Sequence, residues 1–281
     1  MTAPLAHRVE GAGEPLLLLN GGMMSIAAWD EIAAVLAAGH RVVRCDFRGQ
    51  FLSPGPAHRT LDDHVADVAA LLDALRIDSA HVVGTSFGAE VGIVLAARHP
   101  ERVRSLVAAT AFDRATPAMT RLAHDLREAC REAAAGGDGG RMFDAMLPVT
   151  YSDRFREANA EMLDTRRGRV AALPPSWFAG VDGLLATVED LDLRPLLGGV
   201  RCPVLVAVAG LDLTAPPERG RALAAALPGA RLVEVPDSGH ALVVEQPARF
   251  AAICSEFLAS VREDASHGPR TAVGSPSTTQ Q

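Results

Sequence analysis

Lysine is absent from this 281-residue chain, and all 27 basic residues are arginine. Without an ε-amino group there is no Schiff-base chemistry, no P-loop lysine and no serine–lysine dyad. That absence favours histidine as the base for any serine nucleophile. Cysteine is sparse. Cys45, Cys130, Cys202 and Cys254 are widely spaced and form no C-x-x-C, and the histidines are scattered. No metal constellation is visible. Cys45 and Cys202 lie in strand-like apolar runs and are expected to pack as small hydrophobes. Basic runs are also missing and the net charge is −7, so nucleic acid is excluded as a partner. The apolar run Val91 to Ala97 is too short to span a bilayer, which excludes a membrane segment there. Met1 to Gly13 lacks the charged start and apolar core of a signal peptide. These features predict a reduced, cytoplasmic setting.

What is present is a large core: 48% of residues are hydrophobic. Short apolar runs alternate with helical patterns. Strands are predicted near Leu5 to Val9 and over Leu16–Leu19, Arg41–Asp46, His81–Val83, Val103–Ala109, Val204–Ala209 and Arg231–Pro236. Between them, Ser25 to Ala38 reads as a helix with Trp29 and Ile32 inward. Thr60 caps a second helix carrying Leu61, Val65, Val68, Leu71, Leu72 and Leu75 at helical spacing. This alternation predicts an α/β fold with a mainly parallel sheet flanked by helices.

One stretch carries the chemistry. Gly84-Thr85-Ser86-Phe87-Gly88 is a G-x-S-x-G sequence between a strand and the buried helix that starts at Ala89. The bare pattern is weak and needs context. A serine on a sharp strand-to-helix turn exposes its hydroxyl, and the flanking glycines avoid Cβ clashes. Asp212 lies in the loop after the strand Val204–Ala209, and His240 in the loop after Arg231–Pro236. All three sit at carboxyl ends of predicted strands, where open α/β sheets place their sites.

The order Ser86, Asp212, His240, with the G-x-S-x-G turn, resembles the α/β-hydrolase family over residues 5 to about 260. Asp46-Phe47-Arg48-Gly49-Gln50-Phe51-Leu52-Ser53 is similar to that family's D-x-R-G-x-G-x-S loop, departing from it at Phe51. His99-Pro100-Glu101-Arg102-Val103 and Glu245-Gln246-Pro247 are further family-like segments. The resemblance implies a catalytic triad of Ser86, Asp212 and His240, with Asp113 as the rival acid. It also implies an oxyanion hole from the Phe87 and Gly22 amides, with Met23 as the alternative to Gly22. Asn20 stands where the family has histidine, and is similar to the enol-lactonases of aromatic degradation.

Between Phe112 and Asp192 the pattern changes to helices alone, near Pro117–Ala135, Arg141–Leu147, Asp153–Arg169 and Ser176–Val188. Breaks fall at Gly136–Gly140 and Pro174-Pro175. The resemblance makes residues 113–190 a helical cap inserted after the sixth strand, between core segments 1–112 and 191–262. Met23, Met142, Phe143, Met146, Tyr151, Trp177 and Phe178 are candidate pocket residues. Residues 263–281 read as a disordered tail.

The expected reaction is acyl transfer to Ser86 and hydrolysis by water, without cofactor or metal. Aromatics are only 4% and no charged cluster marks a pocket, so the expected partner is a small or medium, mostly apolar ester or lactone. Two alternatives share the triad: a carbon–carbon bond hydrolase of aromatic degradation, and a slow-turnover ligand receptor.

Overall fold

The computed structural model describes residues 5–53, 55 and 60–267. Seven strands form one sheet: β1 (His7–Glu10), β2 (Glu14–Leu19), β3 (His40–Cys45), β4 (Ala80–Thr85), β5 (Val103–Ala109), β6 (Val204–Ala209) and β7 (Arg231–Val235). Their spatial order is β1-β3-β2-β4-β5-β6-β7. Only the β1–β3 pairing is antiparallel.

Every residue of β4 and β6 is buried, whereas β1 and β7 at the two edges are largely exposed. Uninterrupted apolar runs belong in strands covered on both faces. In β2 the alternation is explicit. Leu17 and Leu19 join the core beneath α2 (Leu61–Ala74) and α3 (Phe87–Arg98). Leu16 and Leu18 face the opposite core, with Trp29, Ile32 and Phe250. That second face is covered by α1 (Asp30–Leu36) and α12 (Pro247–His267). Thr60 caps α2 as expected, its hydroxyl accepting the Asp63 amide.

The segment between β5 and β6 is helical: α4 (Pro117–Ala134), α5 (Gly140–Thr150), α6 (Asp153–Ala158), α7 (Ala160–Ala171), α8 (Pro175–Ala186) and α9 (Arg194–Leu197). It has its own apolar cluster, including Leu126, Cys130, Phe143, Leu163 and Val181. Its ends meet where Arg114 and Asp192 form an antiparallel bridge. There the Ala115 amide donates to the Leu191 carbonyl and the Leu193 amide to Asp113. The remaining helices are α10 (Pro217–Ala226) and α11 (Leu242–Glu245).

Three details differ from expectation. The helical insertion follows the fifth strand, not the sixth, because just two strands precede the first helix among the described residues. The helix expected over Asp153–Arg169 breaks at Asn159, whose amide and side chain both donate to the Phe155 carbonyl and end α6. Residues 263–267, expected to belong to a tail, continue α12, which runs to His267, and Asp264 pairs with Arg231 at 3.4 Å. Residues 268–281 lie outside the described residues. None of the described helices is long and apolar enough to cross a membrane.

Candidate active site

Ser86 sits between β4 and α3 with φ 51° and ψ −125°. A residue with a Cβ is strained there by on the order of 1–3 kcal/mol. Its surroundings enforce the conformation. The Ser86 amide donates to the Ala109 carbonyl at 2.8 Å, and its own carbonyl accepts the Ala89 and Glu90 amides at 2.8 and 3.1 Å. A Cβ on Gly84 would lie 2.4 Å from the Gly88 carbonyl oxygen, and one on Gly88 would lie 2.3 Å from that of Leu19. Both glycines are therefore required for backbone to pass against backbone.

β2 and β4 are adjacent in the sheet, although β3 lies between them in sequence. The connections diverge there, and the crevice beyond such strand ends is where open α/β sheets bind ligands. The β2 loop supplies Gly21, Gly22 and Met23 to this crevice, and β4 supplies Ser86 and Phe87. The Phe87 amide opens α3, so it has no acceptor within the helix and lies at the positive end of the helix dipole. Its ring turns into the core, edge-on to Phe47 at 5.0 Å and to His64 at 4.9 Å.

His240 joins the two remaining side chains. Its Nε2 lies 2.9 Å from Ser86 Oγ and its Nδ1 lies 2.8 Å from Asp212 Oδ2. The other Asp212 oxygen accepts the Thr214 and Ala215 amides at 2.9 and 2.7 Å. A carboxylate held this way accepts the Nδ1 proton and leaves Nε2 free to accept from the serine hydroxyl. The two loops are tied together by the Leu211 amide, which donates to Ser238 at 2.9 Å. Asp113, the rival acid, lies instead 3.3 Å from Arg219.

A model of the α/β hydrolase fold matches residues 14–247. The chain belongs to the α/β hydrolase fold family. A protein of Azorhizobium caulinodans provisionally named carbamate hydrolase RutD is 30% identical over 92% of this chain and 96% of its own. Rhodomycin D methylesterase DnrP of Streptomyces peucetius is 32% identical, over 89% of this chain and 94% of its own. The crystal structure of the enol-lactonase from Burkholderia xenovorans LB400 superposes with a TM-score of 0.80 at 28% identity, covering 91% of this chain and 96% of that one. This chain is an enzyme of the α/β-hydrolase class.

In this hydrolase Asn20 is structural. Its side chain accepts from Trp29 Nε1 at 2.8 Å and donates to Asp46 Oδ1 and the Met24 carbonyl, each at 3.1 Å. Asp46 also accepts the Ile26 and Leu52 amides at 2.8 and 3.2 Å. Burial pushes the Asp46 carboxyl up, and these bonds pull against the rise. Asn20 and Asp46 together thus fix the loop that carries Gly21 and Gly22. Phe51, where the family motif has glycine, has φ 35°. Its ring packs 5.4 Å from that of Trp177, so the departure from glycine gives the cavity an aromatic wall.

The cavity above Ser86 has a volume of about 470 Å³ and is largely apolar. Met23, Met142, Phe143, Met146, Tyr151 and Trp177 line it. Phe178 is a correction. It packs inside the helical insertion, where a Cβ on Gly139 would lie 2.3 Å from its ring and Trp177 meets it edge-on. Consecutive residues on a helix point about 100° apart, so Trp177 and Phe178 do not share a face. Sequence reasoning also missed three charged residues at the cavity: Glu90, Arg166 and Arg169. Arg166 donates to the Tyr151 hydroxyl at 2.6 Å. Glu90 was signalled by its spacing, four residues beyond Ser86 at the start of one helix.

Proposed function

We propose that this enzyme is a serine hydrolase that cleaves a small or medium carboxylic ester or lactone through an acyl-enzyme. The observation that carries the reading is His240, hydrogen-bonded at once to Ser86 and Asp212. His240 Nε2 takes the hydroxyl proton as Ser86 Oγ attacks the carbonyl carbon. Asp212 holds the imidazole tautomer and stabilises the imidazolium. The Phe87 and Gly22 amides bind the oxyanion, and loss of one such donor typically costs about 3 kcal/mol of barrier. Nε2 then protonates the departing alkoxide, and water repeats the sequence to release the acid.

Residues 113–190 act as a cap that roofs the serine and selects the substrate. The mainly apolar cavity wall supports a substrate with substantial apolar surface. Among relatives, the methylesterase and the enol-lactonase are both named for ester-type bonds.

The test is a screen of p-nitrophenyl esters of increasing chain length, lactones and a vinylogous diketo acid, run beside fluorophosphonate labelling and peptide mapping. Steady ester or lactone turnover with one label on Ser86, both lost in Ser86→Ala, is the expected result. Exclusive cleavage of the diketo acid would identify a carbon–carbon bond hydrolase instead. Retention of a single acyl group without turnover would identify a receptor.

A further inference from the structure

Glu90 is the one acidic side chain in the first turn of α3, and only 2% of it is exposed. It borders the cavity above Ser86. Its amide donates to the Ser86 carbonyl at 3.1 Å, so its position is tied directly to the nucleophile. Gly88 and Gly92 of the same helix face inward, onto Leu19 and onto Leu106 and Val82. At 100° per residue, this rotation turns Glu90 away from the sheet, towards the insertion. Leu184, Val188 and Phe112 border the cavity with it.

One oxygen of the carboxyl is unsatisfied. Glu90 Oε1 is buried with no hydrogen-bond partner among the described residues. Burial alone acts on its protonation, raising the carboxyl to about 8, with no cation or donor pulling it back. A buried polar group left unpaired costs about 1–3 kcal/mol, and a leucine or methionine would fill the same space without that cost. An unpaired, buried carboxyl oxygen in a mostly apolar cavity, beside Ser86, is the arrangement that orients a ligand.

We propose that Glu90 determines specificity by hydrogen-bonding a hydroxyl or keto oxygen on the substrate, about one helical turn from the scissile carbonyl. This rests on the serine-hydrolase reading above and narrows the substrate class to oxygenated esters or lactones. At neutral pH the carboxyl is largely protonated, so it offers one O–H donor and one carbonyl acceptor. A hydroxyl uses either, and a keto oxygen uses the donor. An ammonium substrate would need a carboxylate, with both ions stripped of water in an apolar enclosure, where Coulomb attraction barely offsets desolvation.

The experiment compares kcat/KM for p-nitrophenyl hexanoate with hydroxy-, oxo- and ammonio-substituted esters of equal chain length. Wild type, Glu90→Gln and Glu90→Met are measured, and thermal melts confirm folding. Wild type is expected to favour the hydroxy or oxo ester by about tenfold, the size of one good buried hydrogen bond. Glu90→Gln, which keeps a neutral donor and acceptor, should retain that preference within about threefold, and Glu90→Met should abolish it. An unchanged ratio in Glu90→Met overturns the proposal. Preference for the ammonio ester, lost in Glu90→Gln, overturns it in favour of an ion pair. If Glu90→Met does not fold, a wild type without preference for the oxygenated esters still overturns it. Phosphonate labelling of wild-type Ser86 separates the two levels. Labelling and turnover without oxygen preference sink only this proposal, whereas neither labelling nor turnover sinks the hydrolase reading as well.

Discussion

Glu245 receives both the amide and the hydroxyl of Ser152, at 2.8 and 2.7 Å. Ser152 caps α6 in the helical insertion, and Glu245 ends α11, five residues after His240. One carboxylate therefore fastens the insertion to the segment that carries His240. The same seam includes the Ala241 amide, which donates to the Thr150 carbonyl at 3.0 Å, and the Thr214 hydroxyl, which donates to Val149 at 3.1 Å.

Glu245→Ala should leave the Ser152 amide unpaired and lower stability by about 1–3 kcal/mol. Glu245→Gln keeps one acceptor and should lose less. Urea unfolding midpoints for the two variants check the order.

Asp212→Asn should reduce kcat by about 10⁴, because the amide cannot hold the required imidazole tautomer. Asp113→Asn should change kcat little, since Asp113 pairs with Arg219 and not with His240. The reverse ranking in steady-state kinetics would reassign the acid.

Glu90 also sets a stability profile. Its carboxyl is raised from 4.5 to about 8 in the folded chain. As pH rises, the unfolded chain releases this proton first, so ionisation favours unfolding. Relative to Glu90→Gln, wild type should lose stability from about pH 4.5 upward, by up to about 1.4 kcal/mol per pH unit, levelling off above about pH 8. Denaturation curves of both proteins at several pH values measure the gap. A gap that stays constant would mean that the carboxyl ionises normally in the folded chain.

Trp177→Ala and Met146→Ala act on the cavity wall. Each should shift the kcat/KM ratio between short and long acyl esters by roughly tenfold, while Ser86 remains open to phosphonate labelling. Uniform loss across all esters, with lower thermal stability, would mean that these side chains serve packing alone.

The positions of Ser86, Asp212 and His240, which the structure brings together, were legible because each depends on local grammar. Ser86 lies in a turn written by Gly84 and Gly88, and Asp212 and His240 follow apolar strand runs directly. Phe178 and Phe51 were not legible as core or cavity residues, and the spacing of Glu90 from Ser86 did not reveal its burial. Which way a helical side chain faces depends on how its helix is rotated against its neighbours. For α3 that rotation is fixed by Gly88 and Gly92 lying on β2, β4 and β5, contacts between residues far apart in sequence. Asn159 looked like an ordinary helical residue, and its bond to the Phe155 carbonyl divides the helix. Phe51 required a positive φ that its residue type disfavours, and Trp177, from a distant helix, supplies its ring with a partner.

The bridge between Arg114 and Asp192 has a consequence for how this chain changes over time. The backbone leaves the sheet after β5 and returns before β6 through two segments already hydrogen-bonded to each other. Whatever lies between them inherits a closed doorway and places no demand on strand register. Helices there, outside the seam at residues 149–152, have room to lengthen, shorten or be exchanged while Ser86, Asp212 and His240 stay where the strand ends put them. The helical insertion and the strand ends that hold Ser86, Asp212 and His240 thus occupy separate stretches of sequence, joined by a bridge a few residues wide.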